Sequence, residues 1–209
     1  MDEVMQSIAA RFFTMQADRF EYKQRQYLYA NVRHIGWLST HTSVYVQHYG
    51  SRFHEDAWLD VYIADANKPL RFRAGHDILP LFRNSLLDSM ILSAAHSRLA
   101  SLTFPYRISS YADELTSAGY FSFDGWRFGS DGHVTRVGRS SPSFSIERDD
   151  ISITSRNPFE LVLSKRSGNR LQALASQLTR QKISLRIDRD VFFELFKSLY
   201  STEPRQARE

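Results

Sequence analysis

The chain has 209 residues, 42% of them hydrophobic and 13% aromatic, and its 27 basic against 23 acidic side chains leave a formal charge of +4. That length suffices for one large core or two small ones, and the basic excess is scattered among acids rather than gathered in a block, so it dictates no anionic partner. The lack of cysteine excludes disulfide-stapled scaffolds, thiolate metal ligands and thiol nucleophiles.

Met1-Asp2-Glu3 is acidic where an export signal is basic. No apolar run reaches the roughly 18 residues of a membrane span, and the two observations together predict a cytoplasmic protein without a membrane segment. Residues 4 to 16 space Met5, Ile8, Phe12 and Met15 as one stripe of a short N-terminal helix. From Asp18 to about Gly75 the period changes to two, through Phe20 and Tyr22, Tyr27 and Tyr29, Val44 and Val46, Leu59, Val61 and Ile63, then Leu70 and Phe72. These alternations predict antiparallel strands, with joints at Thr40-His41-Thr42-Ser43, Gly50-Ser51 and Asp65-Ala66-Asn67-Lys68-Pro69.

After Gly75 the period returns to 3.6, and Leu79, Phe82, Leu86, Met90 and Ala94 predict one apolar face of a helix that begins around Pro80 and ends near Pro105. A second, short helix is expected from Tyr111 to Ala118, with Ser110 as cap, Asp113 at the reciprocal capping position and Gly119 as the left-handed stop. It leads into two alternating runs, Tyr120 to Phe123 and Trp126 to Phe128, around an Asp124-Gly125 turn. Further strands are expected at Phe144 and Ile146, at Ile151 and Ile153, at Phe159 to Leu163, and at Ile183 to Ile187. Leu171, Leu174, Ala175 and Leu178 fit a short inserted helix. Asp188 reads as the cap of a terminal amphipathic helix carrying Phe192, Leu195, Phe196 and Leu199, and the polar segment from Thr202 reads as a frayed tail.

One order thus occurs twice, over about 18 to 101 and 120 to 201: a run of antiparallel strands followed by one amphipathic helix. The segment Ile183-Ser184-Leu185-Arg186-Ile187-Asp188 running into Val191-Phe192-Phe193-Glu194-Leu195-Phe196 carries most of a likeness to a known family. In this the chain resembles pleckstrin-homology-like (PH-like) domains, including the bacterial ones, in which a bent antiparallel sheet is plugged by a C-terminal helix. The resemblance implies an α+β fold of two antiparallel-sheet units, each closed by a C-terminal helix. The corresponding division is 1–104, with the N-terminal helix and first unit, 105–201, with a linker helix and second unit, and the tail 202–209. Such a fold does not by itself specify a function.

The polar residues converge on no familiar chemistry. His34, His41, His48 and His54 lack any metal-ligand spacing, and His41 and His48, an odd number apart, alternate across an extended segment. Glu160 and Lys165 are likewise on opposite faces of an ideal strand, whereas a nuclease core needs them together beside Asp149 and Asp150. Gly125, Gly129 and Gly132 punctuate turns without the lysine and helix of a phosphate loop, and Ser130, Asp131 and His133 share a hairpin turn rather than a strained nucleophile elbow. No catalytic residue, metal or cofactor is therefore expected.

Arginines and aromatic rings interleave at Trp58, Arg71, Phe72 and Arg73 and at Trp126, Arg127, Phe128, Arg136 and Arg139. Such mixtures bind single-stranded nucleic acid, with rings on bases and arginines on phosphates. They also describe amphipathic strands whose rings face a core, and Arg71 and Arg73 alternate with Leu70 and Phe72 accordingly. The expected binding surface is Arg71, Arg73, Trp126, Arg127, Arg136 and Arg139. The expected partner is another protein, in an adaptor role within a bacterial-type intracellular system, with nucleic acid as the alternative.

Overall fold

The computed structural model describes residues 12–46, 50–74, 85–137, 144–145, 151–153, 159–163, 181–200 and 205–206. The fold is α+β; the described residues form small, mainly antiparallel sheets and two α-helices. The chain divides into two compact units, Met1–Arg107 and Ile108–Glu209.

The first unit opens with a meander of β1 (Thr14–Met15), β2 (Arg19–Tyr22) and β3 (Arg25–Leu28). Thr14 and Met15 pair with Glu21 and Phe20, so the end of the expected N-terminal helix is a strand; Met5 and Ile8 lie outside the described residues. Here strand pairing and the burial of Phe13 override a helical spacing that only four apolar residues carried. Lys23 and Gln24 form the β2–β3 turn with φ of 51° and 63°, two left-handed residues in a hairpin that more often uses Asn-Gly.

A 3-10 turn at Tyr29–Asn31 leads into β4 (Val32–Val46), which pairs with β5 (Gly50–Ile63), and β5 in turn pairs with β6 (Leu70–Ala74). The β4–β5 ladder runs unbroken from His34↔Tyr62 to Val46↔Gly50. The expected joint at Thr40-His41-Thr42-Ser43 is therefore strand interior: the segment is polar, but it holds neither glycine nor proline, and threonine suits an extended backbone.

The inner face of this sheet presents Ile35, Ala57, Leu59, Val61, Phe72 and Ala74, all buried. They share one core with Phe13, Phe20, Tyr29 and Val32 and with Leu92, Ala95, Leu99 and Ala100 of α1 (Ser85–Ala118). Removing a leucine or phenylalanine of this kind from water contributes about 1.5–3 kcal/mol.

The two helices expected on either side of Pro105 are one, and α1 runs through the proline for 34 residues. Pro105 has no N–H for the carbonyl of Ser101, and its ring crowds that carbonyl. Side chains supply donors in the same stretch: Thr103 Oγ1 donates to the Leu99 carbonyl at 2.7 Å, and Arg107 donates to the Ala100 carbonyl at 2.8 Å and to Thr103 Oγ1 at 3.1 Å. Thr103 and Arg107 are both buried. Ser110 and Asp113 are consequently helix interior rather than caps, whereas Gly119 does end the helix, with φ 76°. The buried stripe of α1 is Ile91, Leu92, Ala95, Leu99 and Ala100, while Met90, expected inside, is 58% exposed. Leu79, Pro80 and Phe82 lie outside the described residues.

The second unit holds the rest of α1, then β7 (Tyr120–Phe123), β8 (Trp126–Gly129), β9 (His133–Arg136) and β10 (Phe144–Ser145) in the order β10-β9-β8-β7. Asp124 and Gly125, at φ 48° and 76°, make the expected two-residue turn. A second sheet pairs β11 (Ile151–Ile153), β12 (Glu160–Leu163) and β13 (Gln181–Ser184), with β14 (Arg205–Gln206) parallel to β11. The tail expected to fray thus contributes two paired residues. The last expected strand stops at Ser184, and Ile187 is 39% exposed. The inserted helix at Leu171 to Leu178, Ile146 and Asp149-Asp150 lie outside the described residues.

The closing helix, α2 (Arg189–Tyr200), buries Val191, Phe192, Leu195 and Phe196. Phe192 lies 4.7 Å from Phe123 and 5.2 Å from Phe128 between ring centroids, and Phe121 stacks on Phe128 at 5.1 Å. Asp188 precedes the helix with φ 47°, and its carbonyl accepts the Phe192 N–H at 2.9 Å. Its buried carboxylate accepts the Tyr111 hydroxyl of α1 at 3.0 Å.

Candidate binding surface

Alternation along β5 sends Asp56, Trp58, Asp60 and Tyr62 to the face opposite Ala57, Leu59 and Val61. Register places Leu38 across from Trp58 and His34 across from Tyr62 on β4, and Arg73 across from Trp58 and Arg71 across from Asp60 on β6. Arg71 and Arg73 are exposed, while His34, Leu38, Trp58 and Tyr62 are half-buried. Arg71 Nε lies 3.3 Å from Asp60 Oδ1, and the Tyr62 ring meets His34 edge-on at 6.1 Å. This outer face thus joins an indole, a phenol, a leucine and two guanidinium groups on one rigid ladder. Trp58, Leu38 and Tyr62 were not among the expected surface residues; alternation with Leu59, Val61 and Ile63 assigns Trp58 and Tyr62 to the outer face, whereas only the pairing of β4 with β5 brings Leu38 there.

The remaining expected residues belong to the second unit and divide differently. Trp126 is a core ring, 3% exposed, and not a contact surface: its partner across the ladder is Phe123, also buried. Arg136 is exposed and lies over the Trp126 ring at 5.9 Å; Arg127 is exposed and lies over Tyr120 at 4.7 Å. Arg139 lies outside the described residues.

The polar clusters perform local structural roles. Ser130 Oγ donates to the Gly119 carbonyl at 3.2 Å. Asp131 accepts the His133 main-chain N–H at 2.9 Å, and His133 Nδ1 lies 3.2 Å from its other oxygen. The main-chain bond, followed by the nearby imidazole, holds the Asp131 carboxyl below the usual aspartate range. Glu160 pairs with Lys182 on β13 at 2.9 Å, while Lys165 lies outside the described residues. Among the described residues no group of three or more histidines and carboxylates is placed to hold a metal, and no helix is long and apolar enough to cross a membrane.

Two carboxylates engage strand edges. Glu114 of α1 accepts the Ser122 main-chain N–H at 2.8 Å and its hydroxyl at 2.7 Å, on β7 at the border of its sheet. Asp124, in the β7–β8 turn, accepts the Ser184 N–H at 2.6 Å, on β13 at the border of the other sheet. On the inner side of the first unit, Trp37 stacks on His96 of α1 at 4.5 Å and 10°, a pair that spacing alone does not bring together. Comparison of the chain with protein-family models, with curated proteins and with solved structures finds no match.

Proposed function

We propose that the chain is a non-catalytic adaptor that binds another protein through the outer face of the β4–β6 sheet. The observation that carries this reading is Trp58, half-buried on the face away from the core, between Leu38 on one strand and Arg73 on the next. Tryptophan and arginine dominate the energetic centres of protein interfaces because each combines a large apolar area with a directional polar group. Asp60 lies on this face among the arginines, and such a mixed-charge surface suits a protein better than a continuous phosphate backbone.

The same reading takes both units as PH-like. In the second unit a four-stranded sheet is followed by three further antiparallel strands and then by α2, whose Phe192 lies against Phe121, Phe123 and Phe128. In the first unit six strands precede α1 among the described residues.

The test is purification of the full chain from its host, beside Trp58→Ala. A protein that co-elutes at fixed stoichiometry through nuclease and salt, and is lost in the variant while the melting temperature holds, is the expected result. Retention of the same protein by Trp58→Ala refutes the assigned face. Co-elution of nucleic acid that salt removes makes the alternative the better reading.

A further inference from the structure

We propose that β6 is a strand-accepting edge that takes an extended segment of a partner protein carrying acidic residues at alternate positions. The inference deepens the protein-binding reading above and rests on it.

An edge strand leaves a row of N–H and C=O groups that invites another strand, and proteins commonly cover or charge such edges. In the second unit, β7 and β13 each have a main-chain N–H taken by a carboxylate, from Glu114 and Asp124. β6 differs. It pairs with β5 along Leu70–Ala74, and among the described residues no side chain or further main-chain group bonds the other edge of that segment. Five residues of regular strand, paired to β5 along one side, thus have no described partner along the other.

The side chains of β6 define what fits. An added strand continues the alternation of its neighbour, so every second residue of the guest stands beside Arg71 and Arg73 on the outer face. Both guanidinium groups are exposed, and Arg71 keeps 60% of its side chain accessible beside Asp60. The intervening guest residues fall on the inner side, next to Leu70 and near Tyr22, both half-buried, the latter ring 4.8 Å from Phe72. A guest alternating Asp or Glu with aliphatic residues satisfies both sides; one alternating lysine is repelled by two arginines.

The experiment uses the intact chain and short synthetic peptides that alternate Glu with Val, Lys with Val, or Glu with Pro. Binding is read by fluorescence anisotropy and by amide hydrogen exchange at Leu70–Ala74. The Glu-Val peptide is expected to bind at least about tenfold tighter than the Lys-Val peptide and to slow exchange in β6. The Glu-Pro peptide carries the same charge, but its prolines fix φ at about −65°, away from a strand, and it is expected to bind at least about tenfold more weakly than Glu-Val. Arg73→Glu, on an exposed position, is expected to abolish the preference for Glu-Val without moving the melting temperature.

No binding of Glu-Val, equal binding of Glu-Pro, or unchanged exchange in β6 overturns the inference. A partner lost with Trp58→Ala but indifferent to Arg73→Glu and to the peptides leaves the face reading intact and removes the edge. A partner retained by Trp58→Ala removes the face reading, and the peptides then judge the edge by themselves.

Discussion

Asp131 shows how much one side chain can decide in a tight turn. Its carboxylate is held by the main-chain N–H of His133, which lowers its pKa from the ordinary 3.8. A depressed folded value means that the turn gains stability from this bond above the unfolded-state pKa and loses it as pH falls through the folded value. An NMR titration of the Asp131 carboxyl is therefore expected to show a midpoint below 3.8, with exchange of the His133 amide accelerating through the same range. Gly129 supports the arrangement, because a Cβ placed on it would collide with the Asp131 carboxylate. Gly129→Ala is expected to move the midpoint up toward 3.8; an unchanged midpoint would show that the bond survives the crowding.

At the scale of elements, the β7 edge of the second unit depends on Glu114. Glu114→Ala removes two bonds to Ser122 and is expected to cost about 2 kcal/mol, read from urea unfolding, with faster exchange of the Ser122 amide. A change below about 0.5 kcal/mol would show that water replaces the carboxylate at no loss. Glu114 was not legible in the sequence, since nothing in an exposed-looking helical glutamate announces a strand edge eight positions later. Strands with two or three alternating apolar residues were legible: Phe20, Leu59, Phe72, Phe121 and Phe128 all face cores as their spacing requires. So was the Asp124-Gly125 turn, whose backbone demands a left-handed pair. The helix break at Pro105 was misread because proline counts as a penalty in the sequence, whereas Thr103 and Arg107, side chains of the same helix, supply buried donors to nearby carbonyls that only the helical geometry brings into reach. Met90 was misplaced for a related reason: a ragged apolar stripe admits two helical phases, and packing under the first sheet selects the one through Leu92, Ala95 and Leu99.

On the scale of the whole molecule, two cores of different character emerge. The first gathers aliphatic and aromatic residues from six strands and one face of α1, while the second centres on a cluster of phenylalanines around Phe192. Phe192→Ala is expected to destabilise the second unit by about 3–5 kcal/mol, with exchange protection falling across β7 to β9; loss confined to α2 would show the sheet to stand without its helix. Of the candidate surface, the arginines of β6 were readable from alternation, but Trp58's half-buried position and Trp126's burial are outcomes of packing. The division at Arg107–Ile108 falls inside α1, not in a loop. Fragments excised at that point cannot inherit intact ends. The piece stopping at Arg107 leaves the carbonyls of residues 104 to 107 without the following turn, and the piece starting at Ile108 begins with bare N–H groups and no cap. Dissecting this protein therefore means severing a helix, and a fragment that fails to bind has first to be shown to have kept the end that was cut.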